Sequence, residues 1–466
     1  MKMRKILLSC MLAVAVSTQA LAGNVNVADA RRAAFNFIHQ HVANGSMRAA
    51  RSISASDLVL THAEASQAVA EAVDYYAFNV PSGGWVIVAG DDRAKSVLAY
   101  SDQGSLDFDR LPCTAQSLLD SYKREIEFLQ TYQGDDLVRA AKAPSNGKTR
   151  TVGPLITSTW GQETPYSLQC PIYQNEYCVV GCVATAMAQV MKYWHYPESS
   201  DAIPAFYSRS IGKRIGALPA TTFNYNLLLD SYCHWDWETS TLVQDEYTDA
   251  QAQEAAKLSR YCGQAVEMDY SPEGSGAYTW DQLDAMKTFG FRSSAELVER
   301  DGYWGTNYTT AQWETMIQTE INAGRPILYS ANDSYGSGGH AFICDGYSSD
   351  AMFHFNMGWY GTCDGWYAST ALDMTHRDGD ELRFNSAHDM IIGLEPPEGW
   401  VRPSDLQLGD INGDGNVDVY DLNILINITL DKDSADNYPG NANIDGQDSI
   451  DVKDINQMIN LMLSQQ

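Results

Sequence analysis

Apolar positions along the chain change their spacing several times, and each change marks an element. Ile6 to Val16 is an unbroken apolar run. Ala30 to Val42 reads as a helix. Tyr75 to Val80, a Pro-Ser-Gly-Gly turn and Trp85 to Ala89 predict a β-hairpin. Leu118, Leu119, Tyr122, Ile126 and Leu129 fall on one helical stripe. Val183, Met187, Val190, Met191 and Trp194 form another, on a helix opening at Gly181 and Cys182. Further on, Gly338 to Tyr347 and Met352 to Trp359 read as two strands joined by a Ser348-Ser349-Asp350 turn. Two short apolar helices, Leu422 to Leu430 and Ile455 to Leu463, come last.

These elements group into units. Lys2, Arg4 and Lys5 precede the first apolar run, and Ala20-Leu21-Ala22 follows it, which predicts a secretory signal over 1–22 with Gly23 the first retained residue. The run is too short to span a bilayer, and no later stretch reaches about 18 apolar residues. Residues 23–150 form a first α+β unit. It closes on a polar, basic, Pro/Gly-bearing segment at 140–151 that reads as an exposed, cleavable linker. Residues 151–398 begin with helices and end with strands, so a second α+β unit is expected. After a Pro396-Pro397 break, residues 405–466 form a small all-α unit with an internal repeat.

Charge narrows the partners. The chain of 466 residues carries 59 acidic and 31 basic side chains, a formal charge of −28. Such a surface repels phosphate backbones, which argues against nucleic acid. No phosphate-cradling glycine motif is present, which argues against cofactors that dock through phosphates; no cofactor is expected for catalysis. Eight cysteines follow the signal at scattered spacings, with no C-x-x-C pair to suggest structural zinc. Most read as small buried hydrophobes; Cys170 and Cys178 are spaced for a local bridge.

The repeat carries metal chemistry. Asp410, Asn412, Asp414, Asn416, Asp418 and Asp421 occupy positions 1, 3, 5, 7, 9 and 12 of a loop with Gly415 at the turn. That is the spacing of a calcium loop built from hard oxygen ligands. Thirty-three residues on, Asn443, Asp445, Gln447, Ser449, Asp451 and Asp454 repeat it more weakly, with Asp448 in the glycine's place.

The middle unit carries candidate nucleophilic chemistry. Cys182 opens its helix, where unpaired N–H groups and the positive end of the helix dipole favour thiolate. A thiolate needs a base, and His340 follows two glycines at the start of a strand. If the two late strands form a hairpin, His340 lies opposite Asn356 to within two residues. Asn356 would then fix the imidazole tautomer and Trp359 would shield the bond from water. The Cys182 N–H and the side-chain amide of Gln162 are candidate oxyanion donors.

Four segments, taken in order, carry a resemblance. They are Gly161-Gln162-x-x-Pro165-Tyr166; Cys182-Val-Ala-Thr-Ala-x-Ala-Gln189 running to Pro197; Gly338-Gly339-His340-Ala341-Phe342 to Gly346; and Phe353-x-x-Asn356-x-Gly358-Trp359-x-Gly361. Together they resemble the streptopain (C10) family of cysteine peptidases. The resemblance implies a papain-like fold and protein or peptide substrates. It also implies Cys182 as nucleophile, His340 as proton acceptor and Gln162 and Asn356 in support. It places Ser275 and Gly276 on a loop bordering the substrate cleft, with Gly339 against substrate backbone. Where the family reads N-W-G-W, this chain has Met357, which alters the adjoining pocket. Phe78-Asn79-Val80, Trp85 to Arg93 and Leu98 to Ser101 resemble the family's inhibitory propeptide, with cleavage expected near Lys148 to Arg150. The tail resembles a type I dockerin, which implies bound Ca2+ and a cohesin-like receptor. The expectation is a secreted bacterial cysteine endopeptidase made as a zymogen. The alternative is a peptidase-like scaffold that only binds, and reactivity of Cys182 separates the two.

Overall fold

The structure is a computed structural model. It describes residues 23–43, 53–134, 137–139, 151–236, 239, 241–300, 308–332, 339–372, 374–376, 388–402, 406–412, 416–435, 438, 440–446 and 449–464. The expected signal, the basic part of the linker with Lys148 to Arg150, and Asp414, Gly415, Gln447 and Asp448 lie outside the described residues.

The N-terminal unit packs helices α1 (Val27–Ala43) and α2 (Cys113–Thr131) on four antiparallel strands, β1 (Val59–Ala65), β2 (Val73–Asn79), β3 (Trp85–Ala89) and β4 (Val97–Ser101). The expected hairpin is β2–β3, with Asn79 opposite Trp85. Its sequence lacks alternation because both faces are covered: every residue of β3 is buried.

The middle unit supplies helices α3 (Cys182–Trp194), α4 (Asp249–Ala265), α5 (Thr279–Thr288) and α6 (Thr310–Asn322). Its strands are β5 (Glu296–Glu299), β6 (Ile327–Asn332), β7 (Gly339–Tyr347), β8 (Met352–Asn356), β9 (Gly365–Ala368) and β10 (His388–Ile392). These ten strands form one sheet in the order β1-β2-β3-β4-β9-β8-β7-β6-β10-β5, and further short strands pair two by two outside it. The two units meet edge to edge where Ala99 and Tyr100 of β4 pair with Tyr367 and Trp366 of β9.

That junction gives the two units a common core rather than separate ones. On one face of the sheet Ile87, Tyr122, Trp313, Phe342 and Phe353 belong to a single buried cluster. On the other, Trp160, Met187, Met191, Tyr232, Tyr270 and Ile343 pack under α3, α4 and α5. Polar contacts reinforce the junction. Glu125 of α2 accepts from Thr370 Oγ1 at 2.6 Å and from the N–H groups of Ala371 and Leu372 at 2.6 and 3.0 Å. Tyr122 Oη donates to the Ala368 carbonyl at 2.5 Å. His41 Nε2 lies 2.8 Å from Asp350 Oδ2.

The tail has its own small core of Ile411, Leu425, Ile444 and Met458 between α7 (Val419–Thr429) and α8 (Val452–Ser464). Both helices start three residues earlier than their apolar runs suggest. Asp418 caps α7 through Tyr420 N, with Asp421 completing a capping box, so the acidic residues belong to the first turn. Among the described residues no helix is long and apolar enough to cross a membrane.

Candidate active site

Gly181 sets up the site. Its φ is +88°, and an added Cβ would lie 2.7 Å from the Met268 sulfur and 3.0 Å from the Ser275 carbonyl oxygen, so a side chain does not fit there. The helix starts at once with Cys182, as the sequence predicts. The Ala341 N–H points at the Cys182 sulfur, which ties the helix start to the strand that begins with Gly339 and His340. The thiol itself is not primed. Burial pushes its pKa up, and the N–H groups of Ala341, Val183 and Cys182 pull the other way without offsetting it. The lowering expected from the helix start is therefore outweighed by desolvation in this form.

A cleft of 810 Å³ opens beside this point, lined by Val183, Gly276, Gly339, His340 and Ala341 among others. Ser275 is placed differently from expectation. It is 9 % exposed, and its hydroxyl donates to the Val179 carbonyl at 2.7 Å and accepts from Ser271 N at 3.0 Å, so it braces the loop behind Gly181 instead of lining the cleft. Gln162 lies close by, its carbonyl accepting from Val180 N at 2.9 Å, two residues before Cys182.

Asn356 departs from its expected place. It pairs with Ile343, three residues along β7 from His340. The turn before β8 sets this offset, with Ser348 N donating to the Met352 carbonyl at 2.7 Å and Tyr347 facing Phe353, and a bulge between Cys344 and Gly346 moves the register back toward His340 by only one residue. The Asn356 amide instead donates from Nδ2 to the Ser158 carbonyl at 2.7 Å and accepts at Oδ1 from Gln189 Nε2 and Gly358 N, each at 3.1 Å. Trp359 consequently has no His340–Asn356 bond to shield. It lines a separate 240 Å³ pocket with Asp107 and Arg110 of the N-terminal unit and Trp235, its indole N–H buried without a partner among the described residues. Met357 is fully buried in the shared core and is not among the cleft residues.

Sequence reasoning gave Gln189 no role. It is fully buried on α3, and its Oε1 accepts from Ser158 Oγ at 2.9 Å and Trp160 N at 3.1 Å. The sequence offered no signal for it, because Gln189 lies off the apolar stripe and is buried only because nearly every side of the helix is covered; a buried amide must find partners. Every cysteine whose side chain is described is free, Cys170 and Cys178 included. Burial accounts for the high pKa of both thiols.

In the tail, the two repeats bond alike. Asp421 Oδ1 accepts from Ile411 N and Asn412 N at 2.8 and 3.0 Å, and Oδ2 from Asp418 N at 3.0 Å. Asp454 does the same with Ile444, Asp445 and Asp451 at 2.7, 3.0 and 2.8 Å. Asp410, Asp421 and Asp454 are buried, at most 1 % exposed. Among the described residues, no three His, Cys, Asp or Glu side chains converge as a metal cluster.

Two family profiles match the chain: the peptidase C10 family over residues 160–367 and the Spi protease inhibitor over residues 22–126. Streptopain of Streptococcus pyogenes is 27% identical over 344 residues, covering 69% of this chain and 80% of streptopain. The structure of Prevotella intermedia prointerpain A, a cysteine-to-alanine mutant, superposes with a TM-score of 0.57 at 28% identity, covering 73% of this chain and 99% of that one. The active wild-type interpain A cysteine protease of the same organism is 33% identical over 55% of this chain and 99% of its own, with a TM-score of 0.45. A papain-like peptidase unit preceded by an inhibitor-type propeptide is what these likenesses share with the fold above, and the chain belongs to the peptidase C10 family of cysteine-type endopeptidases.

Proposed function

We propose that the chain is a secreted zymogen in which Cys182 and His340, once the propeptide is removed, cleave peptide bonds of protein substrates. The observation that carries this reading is the Ala341 N–H on the Cys182 sulfur, with Ala341 and His340 both lining the cleft. In the reaction His340 takes the Cys182 proton and the sulfur attacks the carbonyl carbon. The oxyanion is held by the Cys182 N–H and the Gln162 amide. Collapse to the thioester expels the amine, which leaves with the proton from His340; water, deprotonated by His340, then releases the acid and restores the thiol. Asn356 and Gln189 act indirectly, by fixing the 158–162 segment against α3 and β8. An epoxide or iodoacetamide probe tests the proposal. Labelling confined to Cys182 and loss of proteolysis with it is the expected result; full proteolysis by a Cys182→Ala variant would refute it.

The propeptide, 23–150 by this reading, inhibits in the uncut chain through the joined sheet and the Glu125 and His41 contacts. For the tail the proposal is calcium binding and docking to a cohesin-like receptor. Its side chains fit a hard cation: acidic, oxygen-bearing, and buried at Asp410 and Asp421. The first loop would hold the ion through Asp410, Asn412, Asp414, Asn416, Asp418 and Asp421. The second would use Asn443, Asp445, Gln447, Ser449, Asp451 and Asp454. Bound calcium would neutralise these carboxylates and stabilise the loop-helix units; catalysis needs no cofactor.

A further inference from the structure

We infer that Glu299 and Asp389 form an acidic subsite that selects a lysine or arginine side chain of the peptide substrate. The inference rests on the cleft beside Cys182 and His340 being the catalytic one.

One row of residues crosses four strands: Ala341 on β7 faces Ser330 on β6, Ser330 faces Asp389 on β10, and Asp389 faces Glu299 on β5. Both carboxylates line the cleft that Gly339 and His340 line. Adjacent strands lie about 4.8 Å apart, so Asp389 sits about 10 Å from the residue after His340. An extended peptide advances about 3.3–3.6 Å per residue. A side chain two or three residues from the cleaved bond therefore reaches the pair.

Two carboxylates directly opposite each other are unfavourable on a sheet. Burial first, and the charge of Glu299 second, push Asp389 up to about 6. Among the described residues its hydrogen-bond donors are the hydroxyls of Ser330, at 3.2 Å, and Thr279, at 3.5 Å. Among the described residues neither acid has an ion-pair partner. The nearest guanidinium along the chain, Arg300, is on the opposite face of β5, where it is buried and acts on Tyr329, His388 and Glu125. Five carboxylates and only one guanidinium, Arg209, are among the described residues lining the cleft. Arg209 follows Ser208 in the chain, and Ser208 and Ser210 both donate to Asp269.

The wall nearby suits the rest of such a side chain. Tyr278 and Trp280 stack at 4.3 Å with an 11° interplanar angle, and both stand 62 % and 56 % exposed on the same cleft. An aliphatic stem or a guanidinium plane lies well against that shelf while its charge meets the carboxylates. The chain itself offers such a peptide, since 140–151 holds Lys142, Lys148 and Arg150 and no acid.

The test uses enzyme matured from the full chain and peptides carrying Arg, Lys, Leu or Glu in turn at each of three positions on either side of the bond. At one position Arg and Lys should exceed Leu in kcat/KM by about tenfold, with Glu below Leu. Asp389→Asn and Glu299→Gln should each lower the Arg-to-Leu ratio several-fold, and together bring it near one. Glu299 is half-buried and Gln is its isostere, so that variant serves if Asp389→Asn does not fold. A ratio near one in the wild type, or one that survives both substitutions, overturns the subsite. Absence of cleavage of every peptide, with Cys182 unlabelled by iodoacetamide, overturns the catalytic reading beneath it.

Discussion

Gln189 Nε2 donates to Asn356 Oδ1 at 3.1 Å, linking the middle of α3 to the last residue of β8. The same glutamine holds Trp160 N and Ser158 Oγ, so one buried amide fixes the helix of Cys182, the segment leading to Gln162 and the end of the strand hairpin. Gln189→Ala strands several of these groups without a partner. It should cost about 1–3 kcal/mol of stability in chemical denaturation and lower turnover as well. Asn356→Ala should be partly active.

Cys182→Ala should leave less than about 1% of wild-type proteolysis, and His340→Ala should be comparably inactive, since removing a nucleophile or its base costs far more than removing an orienting group. Thermal unfolding of both variants should match the wild type within a few degrees. Wild-type rates from His340→Ala would sink the pair.

Maturation should wake the thiol. In the uncut chain burial holds the Cys182 pKa above its ordinary value, so thiolate is scarce at neutral pH. Alkylation by iodoacetamide against pH should show its inflection displaced to higher pH in the uncut chain than in the matured enzyme. Coincident profiles would mean that the propeptide does not govern the thiol.

The His41–Asp350 pair should make propeptide binding depend on pH. Burial opposes the imidazolium, but the hydrogen bonds to Asp350 and the Phe37 carbonyl outweigh it and hold His41 above 6.5. Its contribution is complete below pH 6.5 and fades as pH rises through the raised value. The bond to His41 holds Asp350 below 3.8, so that contribution fades only as pH falls through the lowered value. Inhibition of matured enzyme by added propeptide should be tightest between these limits. With Asp350 42% exposed, the pair is worth at most about 1 kcal/mol, or about fivefold in the inhibition constant. His41→Ala should flatten the profile.

Calcium should stabilise the tail, and the first loop more than the second, because the first has more carboxylates and the turn glycine. Calorimetry of the full chain should show a tail transition that rises with calcium and falls with chelator. Asp410→Ala should diminish the rise more than Asn443→Ala. An unchanged transition would reject the calcium reading.

Much of the scaffold was legible because local pattern and environment agreed. The β2–β3 hairpin, α2 and α3 appear where the apolar spacing put them. What the pattern could not reveal depends on contacts far apart in sequence. The turn that sets Tyr347 opposite Phe353 leaves Asn356 facing Ile343 rather than His340, and nothing in the alternation of β7 announces it. The Cys182 thiol was read from its helix terminus alone, whereas desolvation by the assembled fold is the larger effect. The merging of two units into one sheet was also hidden, because β9 is only four residues long and pairs with a strand more than 250 residues earlier.

That short strand has a further bearing on activation. Gly365 at its start lies so close to β4 that an added Cβ would fall 2.7 Å from the Tyr100 carbonyl oxygen, so the seat is shaped to its occupant. Once the propeptide departs, β9 becomes a bare edge, too brief to template long intermolecular pairing but still matched to the strand it lost. On the proposed zymogen reading, cutting the linker would start activation without completing it. The freed propeptide can return to its seat until it is diluted or digested, so the onset of activity should lag behind the cut and shorten as the enzyme consumes its own inhibitor.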